Sequence, residues 1–206
     1  MVVSTETGDS KQKIIEAATT EFAQFGLAGA RIDRIAKNAC INKAMIYYHF
    51  HSKENLYQTT IDEQIGSVAE KLAGHFAEGV NLEQALRLAS EQYHDLLAPH
   101  SRFRSIFLHE IASGGEHLKQ ALLRIITQRG IPRTIFRMLE EGKQEGRFRD
   151  VDSRQVMLAF VGMNFFYLLA APVANLIWEI ENEEEFRQKR PAALVDLFLH
   201  GVEKHG

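Results

Sequence analysis

Basic and aromatic side chains are concentrated in one short window of the sequence, residues 31–53. The window holds five basic residues and one acidic residue, a local charge of +4, whereas the whole chain carries −3, so the remainder carries −7. It also contains the aromatic run YYHF at residues 47–50. Lysine and arginine bind phosphate, and tyrosine hydroxyls can donate hydrogen bonds to it. The window therefore has the chemistry of a local nucleic-acid contact on an otherwise acidic chain.

A second candidate for chemistry is the pair Glu91 and His94, which stand three positions apart on a predicted helix. This spacing occurs in di-iron carboxylate bundles, but those sites need two such pairs and two further glutamates, and the chain offers one pair. The sequence has no glycine-rich phosphate loop, nucleophile elbow or H-E-x-x-H motif. We therefore expect no metal, no cofactor and no enzymatic activity, and keep a helical-bundle metal-binding enzyme as an alternative.

The compartment and the membrane can also be addressed from composition. Cys40 is the single cysteine, which excludes intramolecular disulfides and suits a reducing cytoplasm. The first residues, MVVSTETGDSK, lack the apolar run of a secretory signal. Residues 156–174 are uncharged and approach the length of a membrane span, but Asn164, Pro172 and the lack of a flanking basic cluster favour a buried helix. We predict a cytoplasmic protein with no membrane partner.

Apolar residues recur with helical spacing along the whole chain, and no segment alternates with a period of two. A first helix at 11–25 is followed by two short helices, 32–39 and 42–49, whose separation is typical of a helix-turn-helix. Helices this short are marginal in water, so they must pack on the first one. We predict a shared core made of Phe22, Ile35, Ile46 and Phe50. That packing leaves outward-facing residues on the third helix: Lys43, Ala44, Met45, Tyr48 and His49.

The rest of the chain also has a helical pattern. A long helix begins at Lys53, and Asn81 and Gln84 have the spacing of a capping pair for the next one. Further helices are expected up to a break at 113–115, on both sides of Gly130, from 154 to 178 and from 187 to 204. The predicted fold is all-α, with a small N-terminal head of three helices at 1–52 and a larger helical body at 53–206.

The head resembles the DNA-binding part of the tetracycline-repressor (TetR) family of transcriptional regulators. The resemblance covers Ile14 to Leu56 and rests on spaced elements in a fixed order: AA-x-x-x-F at 17–22, Gly26, D-R-I-A at 33–36, I-Y-Y-H-F at 46–50 and S-K-E-N-L at 52–56. Farther along, E-G-x-x-E-G-R-F at 141–148 also resembles the family.

The resemblance implies a homodimer whose third helix enters the major groove of DNA. Carried over by position, four residues would approach bases: Lys43, Ala44, Met45 and Tyr48. Tyr47, His49 and Lys53 would bind phosphate, and Arg31, Arg34 and Lys37 would flank the backbone. Alternatives remain for three of them, because Arg34 and Lys37 could form a solvated helix face and Met45 could belong to the core.

Two positions depart from the family pattern. Ala30–Arg31 stands where the family usually has threonines, so the second helix lacks its usual hydroxyl cap. Cys40 occupies the position of the usual turn glycine. If Cys40 has a left-handed backbone conformation, its side chain costs about 1 kcal/mol.

The body helices are rich in phenylalanine and methionine. Any one of these residues is explained by core packing, but together they could line an apolar pocket with polar anchors, where the resemblance places an effector. The candidate pocket residues are His94, Phe103, Phe107, His109, Phe136, Met138, Met163, Phe166 and Tyr167. For dimerisation we predict the helices 154–178 and 187–204, with a stripe made of Leu194, Phe198 and Val202.

These observations predict a dimeric transcriptional regulator of double-stranded DNA, a repressor released from a palindromic operator by a small apolar or aromatic effector. The alternative within the same class is a DNA-binding regulator without an effector, whose body serves only dimerisation.

Overall fold

The computed structural model describes residues 3–75, 80–96, 101–129 and 131–203, and all ten of the extended regular elements in these ranges are helices. In chain order they are α1 Val3–Gly29, α2 Ile32–Ala39, α3 Lys43–Phe50, α4 Lys53–His75, α5 Leu82–Leu96, α6 Arg102–Ala112, α7 Glu116–Arg129, α8 Ile131–Gln144, α9 Ser153–Ile177 and α10 Glu183–Val202. The predicted all-α class is confirmed. The break expected around Gly130 falls between α7 and α8, and Gly130 itself lies outside the described residues.

The three N-terminal helices share one apolar core. Phe22, Ile35, Ile46 and Phe50 are each at most 4% exposed, so the predicted core is confirmed. The predicted cap of α3 is confirmed too, because the Asn42 side chain accepts a hydrogen bond of 2.9 Å from the backbone N–H of Ala44. A capped helix of two turns that contributes two core residues is held in place without needing intrinsic stability.

The chain forms two compact units. The first unit comprises Met1–Ser67 with His100–Ile125, and the second unit comprises Val68–Pro99 with Ile126–Gly206. The contacts therefore place α6 and most of α7 in the same unit as α1 to α3. The division after residue 52, which we drew from sequence, remains a prediction about domains.

Helix α6 packs against α1 within the first unit. Gly26 has φ +61°, a left-handed conformation that favours glycine, and the imidazole of His109 lies 3.1 Å from where a Cβ would be. The Arg102 guanidinium donates a hydrogen bond of 3.0 Å to the Thr20 hydroxyl. Gly26 thus both breaks α1 and admits α6 to its surface.

A buried carboxylate ties α4 to the corner between α6 and α7. Glu110 is 2% exposed, accepts a hydrogen bond of 3.1 Å from the Leu118 N–H and lies 3.3 Å from His117 Nδ1. Burial, and then the Glu110 carboxylate, raise the pKa of Tyr57, whose ring packs edge-on against Phe22 at 4.8 Å. This network connects the core of the head to α4, α6 and α7.

The second unit is built around α5, α8, α9 and α10. Its core includes Leu86, Leu139, Phe160, Val195 and Phe198, with the rings of Phe160 and Phe198 packed edge to face at 5.1 Å. The predicted capping pair at the start of α5 is confirmed, because Asn81 and Gln84 exchange side-chain-to-backbone hydrogen bonds of 2.9 and 3.2 Å. The unit therefore has an apolar core of its own.

Helix α9 is bent, and its polar interior residue is satisfied. Ser153–Tyr167 and Leu169–Ile177 meet at an angle of 72°. Asn164 is fully buried and donates to the Phe160 carbonyl at 2.9 Å, and Ser90 Oγ lies 2.5 Å from its Oδ1. Within the described part of the chain no single helix is long and apolar enough to cross a membrane, although the two halves of α9 pass that test as a pair on length and composition alone.

Candidate nucleic-acid interface

The turn between α2 and α3 begins with a left-handed residue. Cys40 has φ 54° and ψ 41°, and its N–H donates to the Lys37 carbonyl at 3.2 Å. The next N–H, that of Ile41, donates to the Ala36 carbonyl at 3.0 Å, which closes a Schellman-type helix end. The cysteine side chain is exposed, so packing gives it little compensation. The conformation anticipated from sequence is confirmed.

Replacing Cys40 by glycine should therefore stabilise the protein. The change removes the strain of a side chain at positive φ, about 1 kcal/mol, and should raise the melting temperature by a few degrees. Operator affinity should stay the same, because the change leaves α3 in place. Thermal denaturation of the variant and the parent measures the effect, with Asn38→Gly, on an exposed helical position, expected to destabilise. A lower melting temperature for Cys40→Gly would show that the thiol packs usefully.

Helix α2 begins without a cap from its own residues, as its sequence predicts. Arg31 is the N-cap residue and makes no side-chain capping bond. Instead, the Glu21 carboxylate of α1 accepts the Arg31 N–H at 2.8 Å, and Glu21 is 3% exposed. A carboxylate at a helix start is favourable for both the free N–H groups and the helix dipole. The missing hydroxyl is thus replaced by a residue ten positions earlier in the chain.

The same carboxylate holds Arg34. Glu21 Oε1 lies 2.7 Å from Arg34 Nε and 2.5 Å from Nη2, and Nη2 also donates to the Gly29 carbonyl at 3.0 Å. The guanidinium stacks over the Phe25 ring at 4.2 Å. Arg34 is therefore engaged with α1 inside the head, and its predicted contact with the DNA backbone stays a prediction.

The outward face of α3 carries the other predicted contacts. Lys43, Ala44, Tyr47 and Tyr48 are exposed, with Tyr48 the most open at 71%, and Met45 is half-buried. The Lys43 ammonium lies 2.7 Å from the Asp33 carboxylate, and this hydrogen bond raises the pKa of Lys43. Lys43 is therefore cationic at neutral pH, and its ion pair lies in solvent, where such pairs are weak.

His49 is placed differently from the other aromatic residues. Its ring packs against Tyr48 and Phe50, with centroids 5.2 and 6.1 Å away. Its Nε2 atom is buried and has no hydrogen-bond partner in the described structure. Nε2 is therefore not open to solvent in this conformation, and the phosphate contact of His49 stays a prediction.

Three more basic side chains border this face. Arg31 and Lys37 are exposed, and Lys53 is half-buried at the start of α4, with Nζ 3.4 Å from the Ala30 carbonyl. The Ser52 hydroxyl accepts the Asn55 N–H at 3.0 Å and caps that helix. A lysine at a capped helix start is a suitable phosphate contact.

The nine predicted pocket residues fall into two groups. Phe103, Phe107 and His109 belong to the first unit, where both phenylalanines line a cavity of about 10 Å³, room for one water molecule at most, and His109 packs on Gly26. The other six belong to the second unit: His94, Phe136, Met138, Met163, Phe166 and Tyr167. Of these, Phe166 and Tyr167 line a larger cavity of about 440 Å³.

The predicted dimer stripe lies inside the second unit. Leu194, Phe198 and Val202 are at most 7% exposed, and all three face the core of their own subunit. They are thus unavailable to a second subunit, which corrects our choice of residues. Among the described residues, the apolar side chains of these two helices that are at least 60% exposed are Leu158, Phe166, Val173, Leu176, Ile177 and Leu197. Helical periodicity alone could not tell which stripe of α10 meets the core.

The E-x-x-H pair is not assembled into a site. Glu91 is exposed, whereas His94 is buried at 5% exposure. Among the residues described by the structure, no group of three or more His, Cys, Asp or Glu side chains is arranged to hold a metal ion.

Comparison with known proteins gives consistent matches. Residues 14–60 match the family described as "Bacterial regulatory proteins, tetR family", and residues 83–197 match "Tetracyclin repressor-like, C-terminal domain". The HTH-type transcriptional repressor NicS of Pseudomonas putida is 30% identical over 162 residues, 77% of this chain and 75% of that protein. The negative transcriptional regulator IcaR of Staphylococcus aureus is 45% identical over 51 residues, 25% of this chain and 27% of IcaR.

Solved structures agree on the fold. The transcriptional regulator FadR from Bacillus subtilis, in complex with stearoyl-CoA, superposes with a TM-score of 0.72 at 20% identity, covering 93% of this chain and 99% of FadR. At this identity the similarity establishes a shared architecture.

Proposed function

The chain belongs to the TetR family of bacterial regulatory proteins, and we propose from this premise that it is a dimeric repressor released from a palindromic operator by a small apolar effector. The regulator class follows from the family. Repression is supported by the descriptions of NicS as a repressor and IcaR as a negative regulator. Because its proposed partner is DNA, we also propose that the protein acts in the cytoplasm and that it is not an enzyme.

One observation carries the DNA-binding proposal: the exposed face of α3 carries a cation and two tyrosine hydroxyls, and the residues on its opposite side are fixed in the core. Lys43, Ala44, Tyr47 and Tyr48 are exposed, while Ile46 and Phe50 on the opposite side are buried. A helix presented in this way can enter the major groove, with Ala44 allowing close approach and Lys43 and Tyr47 reaching phosphates or bases. Two such heads would bind half-sites about one helical turn apart.

The test is DNase footprinting of DNA upstream of the protein's own gene by the purified protein. We expect a protected segment with two-fold sequence symmetry, and protection that weakens steeply as salt rises. Protection without any dyad would argue against a dimer that uses two α3 helices. Equal binding to all sequences would argue against a specific operator.

The apolar surface of α9 and α10 supports the dimer. Several large apolar side chains on these helices are at least 60% exposed, namely Leu158, Val173, Leu176, Ile177 and Leu197. A concentration of exposed apolar side chains is typical of a protein–protein interface. We propose that these residues pack against their counterparts in a second copy of the chain, in an isologous contact.

Replacing Leu176 by glutamate should give a monomer. Leu176 is 80% exposed, so the change leaves the subunit core intact but places a charge in the proposed interface. Sedimentation at micromolar concentration should show the parent as a dimer and the variant as a monomer, with operator affinity at least about tenfold lower because one head binds alone. Leu122→Glu, on α7 of the first unit, is the matched control and should stay dimeric. A dimeric Leu176→Glu protein would remove this interface.

Effector release would be a coupling between two equilibria. The FadR structure was solved with stearoyl-CoA bound, which supports ligand binding by this architecture. In this chain α4 contributes residues to both units and is our proposed path of coupling. A coupling free energy of about 1–3 kcal/mol would weaken operator binding 5- to 150-fold. By reciprocity, operator DNA must weaken effector binding by the same factor.

A further inference from the structure

The second unit contains a cavity of about 440 Å³ that DNA binding does not use. Four aromatic residues contribute to its lining, with a single charged side chain among the residues around it, Arg190. Phe166 and Trp178 are exposed and form the rim, whereas Tyr167 is buried and forms part of the floor. The volume lies within the range of small-molecule sites, about 300–1,000 Å³.

Arg190 is a cation without an anion. One of its N–H groups donates to the Met163 carbonyl at 3.1 Å, and its guanidinium stacks over the Tyr167 ring at 4.3 Å, but Nε is buried without a hydrogen-bond partner. Burial lowers the pKa of Arg190, and no carboxylate among the described residues opposes that effect. A desolvated charge in this condition is costly, and a bound anion would relieve the cost.

The two basic residues that precede Arg190 on α10 are already paired with carboxylates. Arg187 forms an ion pair of 2.6 Å with Glu184, and Lys189 forms one of 2.5 Å with Glu185. Arg190 thus differs from its neighbours both in its partial burial and in lacking a carboxylate partner within the described part of the chain.

His94 on α5 is close enough to be affected by the charge of Arg190. It is 5% exposed, and its Nε2 atom is buried without a hydrogen-bond partner in the described structure. Burial is the largest cause that lowers the pKa of His94 to about 4; the charges of Arg187 and Arg190 add to it, and the carboxylates of Asp95 and Glu184 act in the opposite direction. The imidazole is therefore neutral at pH 7 and adds no second cation beside Arg190.

We propose that this cavity binds a small monocarboxylate with an apolar body, with the carboxylate on Arg190 and the body against Tyr167, Trp178 and Phe186. Guanidinium groups bind carboxylates in a bidentate, charge-assisted manner, and the aromatic walls exclude water from that contact. The claim that this ligand is the effector rests on the proposed regulatory function. The claim that the cavity binds a carboxylate does not depend on DNA binding.

The test uses the full-length protein without DNA. Trp178 is the single tryptophan of the chain and lies at the rim, so its fluorescence reports directly on the cavity. Decanoate and decanol are titrated below their aggregation limits, since they share the apolar chain and differ in the carboxylate. Decanoate should saturate the signal at one molecule per subunit and bind at least about tenfold more tightly than decanol, as expected for a charged hydrogen-bonded pair.

The variants locate the interaction. Arg190→Gln should weaken decanoate binding about tenfold or more while leaving decanol binding unchanged, and Arg190→Lys should retain part of the preference. Lys189→Gln makes the same charge change at the preceding residue, which is exposed, and this variant should bind decanoate like the parent. Because Arg190→Gln could disturb folding, its melting curve is compared with that of Arg190→Lys. The ratio of the parent's affinities for decanoate and decanol tests the carboxylate preference without any variant.

Equal affinity of the parent for decanoate and decanol, no saturable change in Trp178 emission, or equal losses in Arg190→Gln and Lys189→Gln would overturn the inference. None of these outcomes concerns operator binding, which is measured separately by footprinting. A failure of the carboxylate site is thus distinguishable from a failure of the proposed repressor function.

Discussion

Replacing Lys43 and Lys53 together by alanine should reduce operator affinity by roughly 100- to 1,000-fold near 0.1 M salt. Loss of Lys53 would remove two phosphate contacts from a dimer, and loss of Lys43 would remove two more if Lys43 meets phosphate rather than a base. Each phosphate contact contributes about 0.9 to the slope of log affinity against log salt, so the slope should fall by about 1.8 in the first case and about 3.6 in the second, which distinguishes the two roles of Lys43. Fluorescence anisotropy with a labelled operator, measured from 50 to 300 mM salt, determines both quantities.

Two further variants separate DNA contact from net charge. Lys119→Ala removes an exposed cation of α7 and should leave the affinity unchanged. Asp33→Asn should act in the opposite direction, because it removes the acidic residue that holds Lys43 and the negative charge beside the expected path of DNA. Without DNA, the ion pair between Lys43 and Asp33 is exposed to solvent and weak, so breaking it when DNA binds costs little free energy. An unaltered salt slope in the double variant would show that α3 and the start of α4 do not meet phosphates.

The head could be predicted from sequence because its constraints are local. Two helices too short to persist alone must bury their few apolar residues, which singled out Ile35, Ile46 and Phe50, and the side chain of Asn42 could be assigned as a cap from its position. The resemblance raised a left-handed turn at Cys40 as a condition, because the family usually has glycine there, and the backbone has that conformation. Such inferences need only neighbours within a few residues.

The features that could not be predicted from sequence depend on contacts between residues that are far apart in the chain. Arg34 looks like an exposed base on a helix face, and only the folded chain shows that Glu21, thirteen positions earlier, holds it. Likewise the stripe that includes Leu194 is apolar enough for either a core or an interface, and burial decides for the core.

Glu21→Ala should strongly destabilise the head, although Glu21 is a charged residue outside the apolar core. Glu21 accepts the Arg31 N–H and binds the Arg34 guanidinium while only 3% exposed, so its loss leaves a free helix N–H and an unpaired cation together. Breaking a buried pair costs about 3–5 kcal/mol, and because Arg34 is partly exposed and can turn to solvent we expect roughly 2–4 kcal/mol. Urea denaturation measures the change, with Glu16→Ala, exposed on the same helix, expected within about 0.5 kcal/mol of the parent.

A double variant tests how much of this loss comes from the ion pair with Arg34. Arg34→Gln removes the cation but leaves the hydrogen bond from the Arg31 N–H to Glu21 in place. In the Arg34→Gln background, Glu21→Ala should therefore cost less than in the parent, because no unpaired cation is left behind. Equal costs of Glu21→Ala in both backgrounds would show that Glu21 stabilises the head through the Arg31 N–H and not through Arg34.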